Sequence, residues 1–253
     1  MQLNYKKTGD TGPVIIILHG LLGSLDNWQT VARQLSKRFQ VYTIDQRNHG
    51  RSPHAPEMNY TLLANDLMDF FKQQHIDKAI IIGHSMGGKV AMLAALLHPE
   101  LIDKLISVDI APVYYQGGHE SILFAMAEAP LKLANKREDV DSFLQSRIHD
   151  FGVRQFILKN LFRDESGKLE WKCNLKVLIA SYRFLMDFPQ LSSAYNGPAY
   201  FIRGEKSDYI TEDNWTRCLT LFPKAQLYSV PEAGHWVHAE APAKFLSVLE
   251  SIL

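Results

Sequence analysis

The chain has 253 residues, 46% of them hydrophobic, which is enough apolar material for one domain with an insertion and without a stabilising metal or disulfide. Lysine plus arginine number 27 and aspartate plus glutamate also 27, so the net charge of zero provides no excess positive field for nucleic acid or an anionic membrane. The N-terminal segment is polar, which argues against secretion, and the apolar runs are well below the ~20 residues of a membrane span. The two cysteines lack metal or redox spacing, so we expect free thiols and a cytoplasmic protein.

The first part of the chain alternates short β-branched runs with segments of helical periodicity, a pattern typical of a parallel sheet built from βαβ units. The runs are nearly continuous in Val, Ile and Leu, which predicts strands that helices cover on both faces. We predict strands at residues 14–18, 40–45 and 79–83, and crossover helices at residues 28–37 and 60–74.

The same alternation continues beyond residue 85. Residues 86–97 predict a helix that ends before Pro99, and residues 105–109 predict a further strand. After a long interruption the rhythm resumes, with strands at 199–203 and 226–230 and helices at 214–221 and 242–253. The fold class predicted by this order is α/β, with a mostly parallel central sheet flanked by helices.

The interruption spans residues 112–197, which carry amphipathic patterns instead of strand patterns. A structureless connection of that length is unusual in a compact domain, so we interpret the segment as a helical lid or cap. The lid is then an insertion into a core formed by residues 1–111 and 198–253. Within it we predict helices at 122–133, 140–148 and 175–186.

Residues 83–87, Gly-His-Ser-Met-Gly, fit the G-x-S-x-G turn that lifts a nucleophilic serine above a sheet. A predicted strand precedes the motif and a predicted helix follows it, and side chains at the glycines would crowd those neighbours. Residues 83–89 also match the phosphate loop G-x-x-x-x-G-K, but Val90 stands where that loop needs a hydroxyl for magnesium. We therefore predict Ser85 as a nucleophile.

An oxyanion hole for this nucleophile requires two backbone N–H groups near the serine. Residues 19–23, His-Gly-Leu-Leu-Gly, follow the predicted strand 14–18 and form a loop on the side of the sheet that faces the turn. We predict the amides of Leu21 and Met86 as the two donors. An ordinary glycine turn at the end of a strand is the alternative interpretation of the loop.

Residues 233–236, Ala-Gly-His-Trp, follow the last predicted strand, from which a histidine reaches the serine when the chain order is Ser, acid, His. A neutral imidazole with a pKa near ~6.5 accepts the hydroxyl proton at physiological pH, so we predict His235 as the base. Other histidines lack the spacing of metal ligands, so we expect structural roles for them and no metal. These are His19, His49, His84 and His238.

Segments spread over nearly the whole chain are together similar to the α/β-hydrolase superfamily: residues 19–20, 45–52, 83–88 and 234–240. Within that superfamily, residues 19–28 (His-Gly-Leu-Leu-Gly-Ser-Leu-Asp-Asn-Trp) and 108–112 (Val-Asp-Ile-Ala-Pro) resemble the bacterial YbfF-type esterases. The resemblance implies the α/β-hydrolase fold and hydrolysis of short acyl esters and acyl-CoA thioesters. We expect no cofactor.

Two aspartates compete for the role of triad acid, which holds the tautomer of the histidine. Most relatives carry the acid three residues beyond a glycine after the strand at 199–203, but here that position holds Ser207 and Asp208 lies one residue later. Asp109 instead closes the preceding strand, at the edge of the sheet where ligands bind. The YbfF resemblance implies this placement, with a serine at the usual position. We favour Asp109 and keep Asp208 as the alternative.

The predicted function is a serine hydrolase that cleaves carboxylic esters or acyl-CoA thioesters through an acyl-enzyme, acting on a small molecule as a monomer or small homo-oligomer. Epoxide hydrolases and dehalogenases need an aspartate in place of Ser85. A C–C bond hydrolase or lyase on the same residues, and a non-catalytic binding protein, remain as alternatives. Apolar side chains of the lid are candidates for an acyl pocket or for core packing: Phe124, Met126, Phe143, Phe151 and Phe156.

Overall fold

The computed structural model describes all 253 residues. The strands are β1 (Tyr5–Thr8), β2 (Val14–Leu18), β3 (Gln40–Ile44), β4 (Ala79–His84), β5 (Ile102–Val108), β6 (Leu161–Arg163), β7 (Leu169–Trp171), β8 (Ala199–Gly204) and β9 (Ala225–Val230). The helices are α1 (Gln29–Leu35), α2 (Tyr60–Gln73), α3 (Met86–Leu97), α4 (Glu120–Glu128), α5 (Arg137–Gln145), α6 (Phe151–Leu158), α7 (Leu175–Met186), α8 (Glu212–Leu221), α9 (Val237–Glu240) and α10 (Pro242–Ile252). None of these helices has the length and apolar character that a bilayer crossing needs.

Seven strands form one sheet in the order β1-β3-β2-β4-β5-β8-β9, and β1 alone is antiparallel to its neighbour. In the middle of the sheet, Ile16 of β2 lies opposite Tyr42 of β3 on one side and Ile81 of β4 on the other. The predicted fold class, a mostly parallel sheet with flanking helices, is therefore confirmed.

The central strands contribute to two apolar cores, because successive side chains of a strand point to opposite faces of the sheet. Ile15 and Ile17 of β2 belong to a core that also contains Trp28 and residues of α1 and α10. Ile16 and Leu18 belong to the larger core, to which α2, α3 and α8 contribute. Both faces of the strand are covered, which explains why its sequence is apolar at every position.

Some elements begin or end at other residues than the sequence pattern predicts. β5 begins at Ile102, earlier than residue 105, and ends at Val108, so that Asp109 lies just beyond the strand. β1 is not predicted at all, because most of its residues are exposed and leave no apolar alternation in the sequence. α8 begins at Glu212, since the Thr211 side chain caps the helix by accepting the Asn214 N–H.

Residues 112–197 leave the sheet after β5 and return to it at β8. The sequence pattern predicts only helices in this segment, but the structure also contains two strands there. β6 and β7 form an antiparallel hairpin in which Leu161 lies opposite Trp171. The turn between them has the chemistry of a hairpin: Gly167 has a φ of +82°, and the Asp164 side chain accepts the Lys168 N–H. The prediction missed the hairpin because its strands have only three residues each.

The helices of this segment agree with the pattern to different degrees. α7 has the predicted bounds, whereas α4 ends at Glu128 instead of residue 133, since Pro130 follows. The pattern does not predict α6. The segment contacts the loop that follows β2, where the Asn160 side chain donates to the Leu22 carbonyl at 2.7 Å.

Candidate active site

Ser85 lies at the sharp turn between β4 and α3, with φ 51° and ψ −117°. A non-glycine residue adopts this left-handed region only under strain, and here the Ser85 N–H donates to the Val108 carbonyl of β5 at 3.0 Å. The glycines on either side are required by close packing: a Cβ at Gly83 would collide with the Gly87 carbonyl, and one at Gly87 with the Leu18 carbonyl. Close packing on both sides and a backbone hydrogen bond therefore hold the strained turn at the end of β4.

His235 lies in the loop after β9, and its Nδ1 is 2.8 Å from Asp109 Oδ2. Asp109 is fully buried, and its backbone has a φ of 53° just beyond β5. Its Oδ1 accepts the Gly204 N–H at 3.0 Å, and its Oδ2 also accepts the Ser207 hydroxyl. Asp208 is exposed, and the carboxylate that pairs with His235 is that of Asp109. Of the two candidate acids, the structure thus brings Asp109 to the histidine.

The imidazole of His235 is held on two more sides. The Tyr209 ring stacks on it, with centroids 4.0 Å apart and an angle of 20° between the planes. His84 Nε2 donates to the His235 carbonyl at 2.9 Å. Ser85 and His235 line the same cavity, although no hydrogen bond joins the hydroxyl to the ring in this structure. Such hydrogen bonds commonly tighten only when substrate is bound.

The residues of the two predicted oxyanion donors, Leu21 and Met86, line a cavity together with Ser85. The Leu21 N–H donates to no other group of the protein, and Met86 is the first residue of α3, whose N–H has no acceptor within the helix. The next residue, Leu22, holds the loop that carries Leu21 in place, because the Leu22 N–H donates to His49 Nε2 at 3.2 Å. Neither the Leu21 nor the Met86 amide therefore has a hydrogen-bond acceptor within the protein.

Burial governs the protonation of the histidines around the site. It lowers the pKa of His19 to about 4 and those of His49 and His84 to about 3, so these rings are neutral. Each serves as a hydrogen-bonding spacer: for example, His19 Nε2 accepts the Gln46 N–H at 3.0 Å. Burial also lowers the pKa of His238 well below its usual value, and its ring stacks on Trp28 with centroids 4.1 Å apart. These contacts tie the rings to the surrounding protein, and the structural role of the four histidines stays a prediction.

Asp109 and His235 titrate as one buried pair. Burial raises the pKa of the Asp109 carboxyl, and the hydrogen bonds from Ser207 and Gly204 oppose that rise. Burial lowers the pKa of His235, and the nearby His119 lowers it further. The first proton removes the charge of a buried pair and binds readily, while the second creates a new charge and binds poorly.

Two cavities meet at Ser85, and we name each by one residue that lines it alone. The His235-side cavity encloses about 530 Å³, its mouth included, and reaches Ile122 of α4 and Phe156 of α6. The Met86-side cavity encloses about 340 Å³ and reaches Leu185 at the end of α7. Of the five apolar lid residues considered above, Phe156 alone lines either cavity; Phe124 and Phe151 are exposed, and Met126 is in the core.

Three residues of the site were not singled out from the sequence. Tyr209 stacks on the imidazole, Lys89 lines the Met86-side cavity, and His119 lines both cavities with an Nδ1 that lacks a hydrogen-bond partner. A buried lysine inside the apolar α3 was a visible signal, since lysine is seldom fully buried without a partner. Nothing in the local sequence marks the other two.

A model of the alpha/beta hydrolase fold family matches residues 13–152. The esterase YbfF of Escherichia coli is 39% identical over 240 residues, which cover 94% of this chain and 92% of the relative. The sn-1-specific diacylglycerol lipase ABHD11 of Mus musculus is 38% identical over 251 residues, covering 96% and 81% of the two chains. A solved esterase structure from a marine microorganism is 40% identical, with a TM-score of 0.98 over 100% of this chain and 99% of that one.

Proposed function

Since this chain belongs to the α/β-hydrolase fold family, we propose that it is a serine hydrolase that cleaves carboxylic esters through an acyl-enzyme. Ser85 is the nucleophile, His235 the general base and Asp109 the acid that orients it. The observation that carries the proposal is the 2.8 Å contact between His235 Nδ1 and the buried Asp109 carboxyl, beside a serine held at φ 51°.

The reaction has two halves. Ser85 Oγ adds to the ester carbonyl while His235 Nε2 takes its proton, and the N–H groups of Leu21 and Met86 bind the oxyanion. His235 then returns the proton to the alkoxide as the C–O bond breaks, which leaves an acyl group on Ser85. Water repeats the sequence, attacks the acyl-enzyme and releases the carboxylic acid. Asp109 accepts from Nδ1 throughout, which keeps Nε2 free to accept the serine proton.

The same acyl-enzyme forms from a thioester, so the proposed substrates include acyl-CoA thioesters. Esterase and lipase are the activities named for the similar proteins, which favours oxygen esters as the first substrates to test. We also propose that residues 112–197 form a cap over Ser85, inserted into a core of residues 1–111 and 198–253. Ile122 and Phe156, which line the His235-side cavity, support that role.

The test compares wild type with Ser85→Ala on p-nitrophenyl esters and on acyl-CoA substrates. The matched control is Ser193→Ala, an exposed serine far from the site in sequence, which should keep wild-type turnover. A fluorophosphonate probe should add one adduct at Ser85 in wild type and none in Ser85→Ala. Turnover that survives in Ser85→Ala, or folded wild type that the probe leaves unmodified at this position, would exclude the proposal. Folded wild type without any turnover would favour a binding protein.

A further inference from the structure

Ser85 separates two cavities whose other walls differ. Ser85, Leu21 and His119 border both of them. His235 borders the larger cavity alone, and Met86 borders the smaller one alone. The proton donor for a leaving group is therefore on one side of the nucleophile, and one of the two oxyanion donors is on the other.

The stereochemistry of ester cleavage assigns one part of the substrate to each side. Once Ser85 Oγ has added, the carbonyl carbon also carries the oxyanion, the leaving oxygen and the acyl chain. The oxyanion faces the Leu21 and Met86 amides, and the leaving oxygen must lie within reach of His235 Nε2 to receive its proton. The acyl chain takes the remaining direction, away from the imidazole and into the Met86-side cavity.

The wall of the Met86-side cavity is mostly hydrocarbon. Its aliphatic members are Leu21, Met86, Ile110, Leu185 and Met186. The volume of about 340 Å³ includes the open mouth, so the enclosed space that a ligand can fill is smaller than this figure. This space suits an acyl chain of few carbons.

Lys89 is the one lysine or arginine of this lining, which holds no carboxylate, and burial lowers its pKa to about 7. Its ammonium has no N–H left to offer a ligand. Its Nζ donates to the carbonyls of Val113 and Met186 at 2.9 Å each and to that of Asp187 at 2.8 Å. Its ammonium also lies 4.8 Å from the centre of the Tyr115 ring. All three donors of the ammonium are used, so a carboxylate at the end of an acyl chain would be desolvated without a hydrogen bond from Lys89.

We propose that the acyl group of the substrate occupies the Met86-side cavity, that the alcohol leaves through the His235-side cavity, and that the enzyme selects short, uncharged acyl chains. This assignment rests on the proposed serine hydrolase function. It makes Met186 a residue that determines acyl length and Ile122 a residue that determines the choice of alcohol.

The test uses two ester series. In the first the alcohol is p-nitrophenol and the acyl chain grows from acetyl to octanoyl, with a succinyl half-ester as the charged member. In the second the acyl group is acetyl and the alcohol changes from methyl to naphthyl. Wild type should prefer the short acyl chains and disfavour the succinyl half-ester relative to the butyryl ester.

Substitutions at the two cavities should change different series. Met186→Ala should raise the hexanoyl-to-acetyl ratio of kcat/KM about tenfold, and Met186→Trp should lower it by a similar factor. Ile122→Ala, the matched truncation of the other cavity, should leave that ratio within twofold and change the naphthyl-to-methyl ratio instead. As a second measurement on wild type, a hexylphosphonate adduct of Ser85 should show its alkyl chain in the Met86-side cavity by crystallography.

The assignment is overturned if Ile122→Ala changes the acyl series, if the alkyl chain lies in the His235-side cavity, or if the succinyl half-ester is preferred. Any of these results leaves the proposed function intact as long as acetyl ester turnover in wild type requires Ser85. Loss of that serine dependence is the separate result that removes the proposed function itself.

Discussion

Replacing Asp109 with asparagine should lower kcat about 10⁴-fold without unfolding the protein. The Asp109 carboxyl is fully buried, with Oδ1 accepting the Gly204 N–H at 3.0 Å and Oδ2 lying 2.8 Å from His235 Nδ1. Asparagine must keep its oxygen toward Gly204, because the opposite orientation would bring two N–H donors together in a buried place. Its NH₂ group therefore faces the imidazole.

That orientation has a defined effect on the base. The amide NH₂ donates to Nδ1 of His235, so the ring proton moves to Nε2, the atom that must accept the proton of Ser85. The imidazole is then in the wrong tautomer for attack. A loss of about 10⁴-fold corresponds to about 5 kcal/mol of activation free energy.

The assay is kcat for p-nitrophenyl acetate at saturating substrate, with thermal melting to show that each variant is folded. Asp208→Asn is the matched control: Asp208 is exposed, so its variant should stay within twofold of wild type. The reasoning is refuted if folded Asp109→Asn keeps a tenth or more of wild-type kcat, or if Asp208→Asn loses a hundredfold.

Three other perturbations test the electrostatics and the packing of the site. Ser207→Ala removes a hydrogen bond that lowers the pKa of Asp109, so the Asp109–His235 pair should take up its first proton at higher pH. The acid limb of the kcat/KM profile, measured between about pH 5 and 9, should therefore move to higher pH. A limb at the wild-type pH would contradict the coupling. Burial lowers the pKa of His49, so below about pH 6.5 the unfolded chain binds a proton at this residue that the folded chain does not bind. The free energy of unfolding therefore falls as the pH falls, by about 1.4 kcal/mol for this group at about pH 5.5. Urea denaturation should therefore show a weaker loss of stability with acid in His49→Gln than in the exposed control His149→Gln, and equal slopes would contradict the prediction. Lys89→Met should lower the free energy of unfolding by about 3 kcal/mol and speed proteolysis within residues 112–197. Three buried carbonyls lose their donor, and the recovered cost of burying the ammonium offsets only part of that loss. An unchanged urea midpoint would contradict this prediction.

Much of the core architecture was predictable, because its signals are continuous in the chain. The run at residues 14–18 has the bounds of β2, and the strand, turn and helix around Ser85 follow one another within about twenty residues. The structure of residues 112–197 was less predictable. Its β6–β7 hairpin is too short to show periodicity, and α6 has only eight residues, among which the charged Arg154 is buried.

The sequence by itself determined the parallel sheet, the glycine-flanked turn at Ser85 and the candidate residues for base and oxyanion donors, since each depends on neighbours along the chain. Tertiary structure alone decided that Asp109, and not Asp208, lies against His235, and that two different cavities meet at the serine. Asp109, Gly204, Ser207 and His235 come from three separate loops, so their distances are set by how β5, β8 and β9 pair in the sheet. The spacing of these residues along the sequence does not predict the distances between them.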